Sequence, residues 1–329
     1  MNSIWEHLVE PDESLFYSRG DRNDPCMGDL VKRGTKNYSS SRGQGGIGLL
    51  GVPEDEGVKR NKGRVGAAEA PDAIRRALYR LTPYHIGTEK NITALSIFDF
   101  GNLRVKGALE DIHEILQGVL ENILALGHIP VVIGGGHDIT YPNFCAFAKQ
   151  GSNAGLINVD SHFDVREPNP QRTSGTSFRQ ILEHATTLLL PQNFVELGIQ
   201  PYANARAHYE YLLGRGSTIF TLREVQEEGI EKIVSLSYQI ASNLTEAVFV
   251  SFDLDAVRGS DAPGVSASYP TGLEAQELLK IARYVGQQPK AAMIDIVEVN
   301  PKYDFDDRTS KLAALAILNF LTGVSSRTE

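Results

Sequence analysis

The chain has 329 residues, of which 41% are hydrophobic and 22% charged, and its formal net charge at pH 7 is −9. This composition is that of a soluble globular protein with enough apolar residues for a large core. The negative balance argues against a general binder of nucleic acid or of anionic membranes. The two cysteines, Cys26 and Cys145, are too few for a disulfide framework or a cysteine-based zinc site. The first residues lack the features of a signal peptide and no apolar run is long enough to span a bilayer, so we expect a cytoplasmic protein.

Residues 1–44 are polar, rich in turn residues and without clear periodicity, so we expect a partly irregular N-terminal extension. From residue 45 onward, short apolar runs alternate with amphipathic segments. The runs that predict buried strands are GIGLLGV, ITALSIFDF, IPVVIGG, AGLINVD, FVELGI, STIFTL, AVFVSFDLD and AAMIDIVEV. The segments that predict helices include APDAIRRALYRL, ALEDIHEILQGVLENILALG, TGLEAQELLKIARYVG and SKLAALAILNFLTG. This alternation predicts a single α/β domain over residues 45–329, with a parallel sheet covered by helices on both faces.

Polar motifs follow the apolar runs where several of the predicted strands end. GGGHD follows IPVVI, DSHFD follows AGLINV, DLD ends AVFVSFDLD and EVN ends AAMIDIVEVN. Ligands of parallel α/β sheets bind outside the carboxyl ends of the strands. We therefore expect these motifs to line one site.

The motif DSHFD places Asp160, His162 and Asp164 at every second position. Side chains with this spacing share one face of an extended backbone. Buried carboxylates must be paired with cations or coordinate a metal, and Arg166 is the one basic residue near the motif in sequence. A divalent cation therefore explains the pattern better than ion pairing. The other six histidines, among them His113, have no acidic partner at ligand spacing, and we expect them to be surface or packing residues.

The other two motifs are weak signals when each is taken alone. An acidic pair at a strand end is often only solvated, and a glycine turn can hold a histidine for structural reasons. Together the three motifs supply four carboxylates and two imidazoles, which is more than one cation needs. The candidate ligands are His137, Asp160, His162, Asp164, Asp253 and Asp255. This set predicts two bridged divalent cations, and Mn²⁺ is favoured over Zn²⁺ because thiolates are absent. Two such ions ~3.5–4 Å apart can share a water and lower its pKa towards ~7.

These motifs resemble those of the ureohydrolase superfamily, which includes arginase, agmatinase and formimidoylglutamase. The resemblance covers about residues 45–322 and also includes NKGRVGAAEAPDAIR, DFGN and EVNPKYDFDDRTSKLAA. It implies a three-layer α/β/α sandwich with a central, mostly parallel sheet of about eight strands. It also implies that the six candidate ligands bind two Mn²⁺ ions. By the same resemblance, Asp164 carries a proton to the leaving nitrogen and Glu298 pairs with the cationic amidine or guanidinium group of the substrate.

Within the superfamily, the chain is most similar to the formimidoylglutamases. Arginase has an asparagine two residues after its third ligand and a histidine in the following loop, whereas this chain has Arg166 and TSGTSFRQ there. HFDVR, TSGTSFRQI and APGVSA are similar to the formimidoylglutamase pattern, as are Arg258 and Gly259 where other members have Asp-Pro. The resemblance implies that Arg166 binds one substrate carboxylate and that Arg172 or Ser174 meets a second one. A solvated loop position is an equally good interpretation of Arg172.

The activity that this resemblance implies is hydrolysis of N-formimidoyl-L-glutamate to L-glutamate and formamide, a step of histidine degradation. One alternative is an agmatinase or another guanidino-acid ureohydrolase, which would release urea. Arg166 argues against agmatine, because agmatine has no carboxylate. A less favoured alternative is a non-catalytic binding homologue, which would be expected to lack some of the six ligands. We expect a small-molecule substrate and neither nucleic acid nor a membrane as partner, and the sequence leaves a homo-oligomer open.

Overall fold

The computed structural model describes residues 4–34, 45–150, 153–184 and 189–328. Parts of the predicted N-terminal extension, residues 1–3 and 35–44, therefore lie outside the described residues, as does Glu329 at the end of the predicted domain. Within the described residues, no helix has both the length and the apolar character that crossing a membrane requires.

The described strands are β1 (Leu8–Val9), β2 (Lys32–Arg33), β3 (Ile47–Gly51), β4 (Tyr84–His85), β5 (Lys90–Asn91), β6 (Ile97–Leu103), β7 (Ile129–Ile133), β8 (Ala154–Val159), β9 (Leu189–Ile199), β10 (Thr218–Thr221), β11 (Ala247–Asp253) and β12 (Ala291–Val297). The described α-helices are α1 (Met27–Leu30), α2 (Glu56–Arg60), α3 (Ala70–Leu78), α4 (Leu109–Ala125), α5 (Thr140–Ala148), α6 (Ser177–His184), α7 (Arg206–Arg215), α8 (Leu222–Glu228), α9 (Ile230–Ala241), α10 (Ala275–Gln287) and α11 (Arg308–Ser325).

All eight apolar runs predicted as strands lie in one sheet of ten strands. Its order is β1-β6-β3-β7-β12-β11-β8-β9-β10, and β2 also pairs with β6. The strands pair in parallel except β1, which is antiparallel to β6. The sheet thus has two more strands than predicted. The additional strands are β1 and β2, each of two residues, from the N-terminal segment. Strands this short carry no readable alternation of apolar and polar residues, so the sequence pattern does not reveal them.

Helices cover both faces of the sheet, which confirms the predicted three-layer arrangement. Val131 and Ile133 of β7 pack in one hydrophobic core with residues of α3, α9, α10 and α11. Val132 between them points to the other face and packs in a second core with residues of α4, α5, α6 and α7. Because both faces are buried, successive residues of the central strands are all apolar, which is why these strands appear as continuous apolar runs.

The order of the central strands positions the site. β7, β12, β11 and β8 are consecutive neighbours in the sheet and run parallel. Their carboxyl ends lead into GGGHD, EVN, DLD and DSHFD respectively. The four motifs therefore meet at one edge of the sheet, although they are spread from residue 134 to residue 300 along the chain.

Candidate metal centre

His137 follows three glycines at the end of β7 and begins a short 3₁₀ helix. Close packing requires the glycines, because a Cβ on Gly135 would lie 1.6 Å from the backbone carbonyl oxygen of Glu54. A Cβ on Gly134 would lie 2.4 Å from Cδ1 of Ile139. Only glycine fits at position 135, where the contact is with backbone, whereas a side chain at position 134 would require Ile139 to shift. The turn brings the buried His137 ring to the ends of β8 and β11.

The Nε2 atom of His137 is held from behind by a chain of hydrogen bonds. It lies 3.0 Å from Oγ of Ser251, and Ser251 donates to Oδ1 of Asp295 at 2.6 Å. Thr140 and Asn143 donate to the other oxygen of Asp295 at 2.8 and 2.9 Å. Since the Ser251 proton goes to the carboxylate, Ser251 accepts from the Nε2–H of His137. The other ring nitrogen, Nδ1, is then free to present a lone pair.

Nδ1 of His137 faces three carboxylates. It lies 3.2 Å from Asp160, 3.0 Å from Asp164 and 3.1 Å from Asp253, each through Oδ2. Burial disfavours the imidazolium, but the three carboxylates outweigh burial and raise the pKa of His137 well above its usual value. A lone pair that faces three acids is repelled unless a proton or a metal cation lies between them.

A second group of ligands lies beside the first. Nδ1 of His162 is 3.1 Å from Oδ2 of Asp255 and 3.5 Å from Oδ1 of Asp160. Asp160 accepts the backbone N–H of His162 at 2.7 Å, and Asp253 accepts that of Asp255 at the same distance. These Asx turns fix the carboxylates at the strand ends. Oδ1 of Asp255 is buried and has no hydrogen-bond partner within the described part of the chain.

The six predicted ligands therefore come together as two overlapping groups. His137, Asp160, Asp164 and Asp253 form one group, and Asp160, His162 and Asp255 form the other. Within each group the candidate ligand atoms lie within 4.8 Å of one another. Burial raises the pKa of Asp253 well above normal and that of Asp255 to about 6. Carboxylates crowded in this way need cations, and four carboxylates with two imidazoles and no thiolate suit hard divalent ions. The donor set fits a binuclear metal centre.

Two residues at this edge of the sheet have left-handed backbone conformations although they are not glycines. The φ angles are 46° at Asp164 and 63° at Glu298. Such conformations cost ~1–3 kcal/mol and are concentrated at functional sites. The amide of Glu298 donates to Gly135 at 2.9 Å, and its Oε1 accepts the amide of His137 at 3.0 Å. Burial raises the pKa of Glu298 to about 8.

A cavity of about 280 Å³ opens over the acidic cluster. Glu298, Arg166 and Ser174, three of the predicted substrate-binding residues, are among those that line it. Arg172 is not among the residues that line this cavity. Its guanidinium lies 5.0 Å from the ring centre of Tyr141, and its carbonyl oxygen accepts from Arg60.

Asn61 connects the two predicted carboxylate-binding residues that line the cavity. Its Oδ1 accepts from Nη1 of Arg166 at 2.6 Å, and its Nδ2 donates to Oγ of Ser174 at 3.1 Å. Gly175 leaves room for this arrangement, because a Cβ there would lie 3.1 Å from Cδ of Arg166. Asn61 belongs to the motif NKGR, so its presence was evident from the sequence, but its partners lie more than a hundred residues away.

Behind Asp160 lies a buried acid that the sequence analysis missed. Asn158 donates to Asp160 at 3.2 Å and to Glu196 at 2.9 Å. Burial and the charge of Asp160 raise the pKa of Glu196 well above normal. The available signal was a single acid inside the apolar run FVELGI. Because Glu196 lies on β9, only the pairing of β8 with β9 shows that it supports a ligand.

A second missed group surrounds Asp138, the residue after His137. His113 is buried, as expected for a packing histidine, but its Nε2 lies 2.8 Å from Oδ2 of Asp138. Glu54 is buried beside them, and it accepts backbone N–H groups of Glu56 and Gly57 at the start of α2. The sequence spacing did not reveal this acidic partner of His113, because Asp138 is 25 residues away in sequence.

Comparison with known proteins agrees with this fold. Residues 46–323 match the model of the Arginase family. The chain therefore belongs to the arginase family, as the sequence motifs indicated.

The chain is similar to several formimidoylglutamases in sequence and in structure. The chain is 35% identical over 279 residues to the formimidoylglutamase of Staphylococcus carnosus, covering 84% of this chain and 86% of the relative. Its structure is similar to that of formimidoylglutamase from Bacillus subtilis, with a TM-score of 0.85, 30% identity and 94% of both chains covered. It is also similar to Trypanosoma cruzi formiminoglutamase crystallised with Mn²⁺, with a TM-score of 0.84, 32% identity and coverage of 92% and 99%.

Proposed function

We propose that this protein hydrolyses the linear amidine of N-formimidoyl-L-glutamate to L-glutamate and formamide. The relatives named above support this activity. The observation that carries the proposal is Arg166, which lines the cavity over the acidic cluster and is held by Asn61. A guanidinium is a strong partner for a carboxylate, so this cavity suits a substrate that has a cationic end and a carboxylate end.

The candidate ligands would hold two Mn²⁺ ions, the metal present in the T. cruzi relative. Bound in this way, the ions would lower the pKa of water, so that hydroxide is available at neutral pH, and would stabilise developing negative charge. We assign the support of this centre to Ser251 and Asp295, which orient His137, and to Asn158, which orients Asp160.

The protein's own residues would orient the substrate and move one proton. Glu298 pairs with the amidinium, and that cation favours the ionised carboxylate over the protonated form. The oxygen of water adds to the amidine carbon, the C–N bond to the glutamate nitrogen breaks, and this nitrogen gains a proton. We assign the proton transfer to Asp164, which belongs to the cluster and also lines the cavity. Orientation and electrostatics would supply most of the acceleration.

Two alternatives remain distinct from this proposal. An agmatinase or guanidino-acid ureohydrolase would use the same cluster but would release urea. A non-catalytic homologue is disfavoured because all six candidate ligands are present and adjacent. Under the proposal, the protein would act in the cytoplasm, in histidine degradation.

Product analysis tests the proposed function directly. The Mn²⁺-loaded protein would be given formimidoylglutamate, arginine, agmatine and guanidinobutyrate in separate reactions. We expect formamide and glutamate from the first and no urea from the others. Urea from any of the other substrates would be consistent with the metal centre but would refute the assigned substrate. No turnover of any of the four by metal-loaded protein would refute the proposed reaction.

The assigned metal ligands have their own test. We expect Asp160→Asn and Asp253→Asn each to abolish activity and to lower the Mn²⁺ content, because each replacement removes a charged ligand from the cluster. Metal analysis after gel filtration, together with kcat/KM, measures both effects. Asp306→Asn is the control, since this aspartate is exposed and lies outside the cluster. Full activity with full metal in either ligand variant would disprove the two-ion centre.

A further inference from the structure

The loop of residues 61–64, which follows α2, forms part of the wall of the substrate cavity. It contributes Asn61, Lys62, Gly63 and Arg64 to a lining that also includes residues of the acidic cluster. Two cationic residues, Lys62 and Arg64, therefore line this wall in addition to Arg166. A substrate with two carboxylates needs a partner for each of them, and the partner of the second carboxylate is still to be assigned.

The side chain of Arg64 connects its own loop to the loop that contains Val265 and Ser266. Its Nε donates to the carbonyl oxygen of Ser266 at 3.0 Å, and its Nη2 donates to that of Val265. The guanidinium also lies 4.2 Å from the ring centre of Tyr303. These contacts explain why NKGR and APGVSA occur together, because the first motif anchors the second. They leave Arg64 with a structural role.

Lys62, unlike Arg64, makes no side-chain contact that holds loops together in the described part of the chain. Its side chain is exposed, and its ammonium group makes no hydrogen bond or ion pair in the part of the chain that the structure describes. Its backbone is left-handed, with φ at 65°. A side chain at such a position costs roughly 1–2 kcal/mol, a cost that glycine would not incur. The loop thus presents a long cationic side chain at a position where its backbone favours glycine.

Lys62 and Arg166 are neighbours through Asn61. Arg166 is bonded to the side chain of Asn61, and Lys62 is the next residue, so its Cα is about 3.8 Å from that of Asn61. Among the described residues, Arg166 makes no ion pair with a protein carboxylate. Two cationic side chains that line one cavity, and that make no ion pair with a carboxylate of the described residues, suit two anionic groups separated by a short spacer. The α- and γ-carboxylates of a glutamyl group have this relation.

We propose that Lys62 binds the second carboxylate of the substrate, while Arg166 binds the first. This inference rests on the proposed function and makes Lys62 the residue that selects a dicarboxylate. It assigns to Lys62 the role that the sequence suggested for Arg172, whose guanidinium lies over Tyr141. Ser174 remains available to donate its hydroxyl proton to either carboxylate, since its Oγ accepts from Asn61.

The test compares three substrates in the Mn²⁺-loaded protein. They are N-formimidoyl-L-glutamate, N-formimidoyl-L-norvaline, which lacks the γ-carboxylate, and 4-formimidoylaminobutyrate, which lacks the α-carboxylate. We expect Lys62→Met to lower kcat/KM for the diacid about 10- to 100-fold, mainly through KM. The loss should persist with one monoacid and vanish with the other, which lacks the carboxylate that Lys62 binds. Lys62→Arg, which keeps the charge, should restore most of the activity on the diacid.

A binding measurement provides a readout that does not depend on turnover. Calorimetric titration with L-glutamate should give a Kd about 10- to 100-fold weaker in Lys62→Met, with unchanged Mn²⁺ content. Lys59→Met is the matched control, because Lys59 lies on α2 outside the cavity and pairs with Glu56. We expect this control to behave as the wild type in both experiments.

The outcomes separate this inference from the proposed function. Equal losses on all three substrates, or none, would overturn the role of Lys62 while leaving the function intact. If the wild type does not release glutamate, the proposed function is refuted. The glutamate titration then still tests whether Lys62 binds a carboxylate, by comparing the Kd of the wild type with that of Lys62→Met. A wild type that neither turns over the substrate nor binds glutamate would overturn both.

Discussion

At the scale of single residues, the partners of each carboxylate decide its charge. Burial raises the pKa of Asp160, but hydrogen bonds from His137 and His162 outweigh burial and hold it well below its usual value. For Asp253, burial dominates, and the charges of Asp255 and Asp160 raise its pKa further. Neighbouring acids in one cluster are thus driven towards opposite protonation states. Two divalent cations would end this conflict, because each ion favours the ionised form of the carboxylates that contact it.

Glu298 permits a test that separates substrate binding from metal binding, since it lines the cavity but belongs to neither ligand group. Glu298→Gln keeps the size of the side chain and the acceptor for the His137 amide. It loses the negative charge that, under the proposed function, would pair with the amidinium. We expect kcat/KM to fall about 100-fold at unchanged Mn²⁺ content. Steady-state kinetics and metal analysis of the same preparation measure this. Loss of metal would instead assign Glu298 to the centre itself.

At the scale of elements, one face of β11 changes from apolar to polar along the strand. Phe249, Ser251 and Asp253 lie at every second position and so on one face of the strand. The first packs in the hydrophobic core, the second supports His137 and the third is a candidate ligand. On β12, Asp295 is the register partner of Ser251. The strands therefore deliver both the ligands and the groups that orient them.

Replacing Ser251 by alanine tests this support. The Nε2–H of His137 would lose its acceptor and the ring would lose its fixed orientation. We expect Mn²⁺ affinity to fall about 10- to 100-fold, measured by titration of the metal-free protein. Ser237→Ala is the control, because Ser237 is buried on α9 and donates to the carbonyl oxygen of Ile233. Equal affinities in the two variants would show that His137 needs no such support.

The start of α2 predicts a pH dependence of stability. Burial and the neighbouring Asp138 raise the pKa of Glu54 far above its ordinary value near 4.3. The folded protein thus keeps a proton that the unfolded chain releases above this pH. The stability that this carboxyl contributes is complete below pH ~4.3 and is lost as pH rises towards its folded pKa. Glu54 alone should therefore lower the free energy of unfolding by up to about 1.4 kcal/mol per pH unit in this range.

Glu54→Gln should make the slope shallower by removing this contribution, because glutamine cannot ionise yet retains an oxygen to accept the α2 amides. Asp255 and Glu298, whose pKa values burial raises to about 6 and about 8, titrate in both proteins. Thermal unfolding at several pH values between 5 and 8 measures the slope in both proteins. Glu56→Gln serves as the control, since a hydrogen bond from Lys59 lowers the pKa of Glu56 and it titrates below this range. Identical slopes for wild type and Glu54→Gln would contradict the prediction.

At the scale of the whole molecule, the acidic cluster couples metal binding to stability. Candidate ligands come from β7, β8 and β11 or the turns that follow them, which are neighbouring parts of the central sheet. Without cations, the buried carboxylates repel one another across these elements. Ions that bind only the folded state stabilise it by about 2.7 kcal/mol per site when the free metal is at 100 times its Kd.

Metal removal should therefore destabilise the entire domain. We expect treatment with a chelator to lower Tm and added Mn²⁺ to restore it, as measured by calorimetry. The variant Asp253→Asn should respond much less to added metal, because it lacks a ligand of the cluster. An unchanged Tm on removal and return of Mn²⁺ would indicate that no ion binds to the folded state at this place.

Much of the fold and of the metal centre was predictable from sequence because the relevant signals are local. Residue type and spacing directly after an apolar run were enough to single out Asp160, His162 and Asp164. The extended backbone assumed for them was wrong, because β8 ends at Val159 and Asp164 is left-handed, so the turn after the strand brings these side chains together. The apolar runs predicted eight strands, and all eight formed. The partners Glu196 and Asp138 were not predictable in this way, because each contacts its neighbour through packing between segments distant in sequence.

The sequence by itself determined the chemistry of the donors and the elements that carry them, because residue type and local spacing are properties of the chain. The tertiary structure decided that β12 and β11 lie between β7 and β8, which brings the motifs to one edge. It also decided that Arg166 is joined to Asn61 beside Lys62, while Arg172 lies over Tyr141. Strand order and loop packing depend on the contacts of the whole core, which no local pattern encodes.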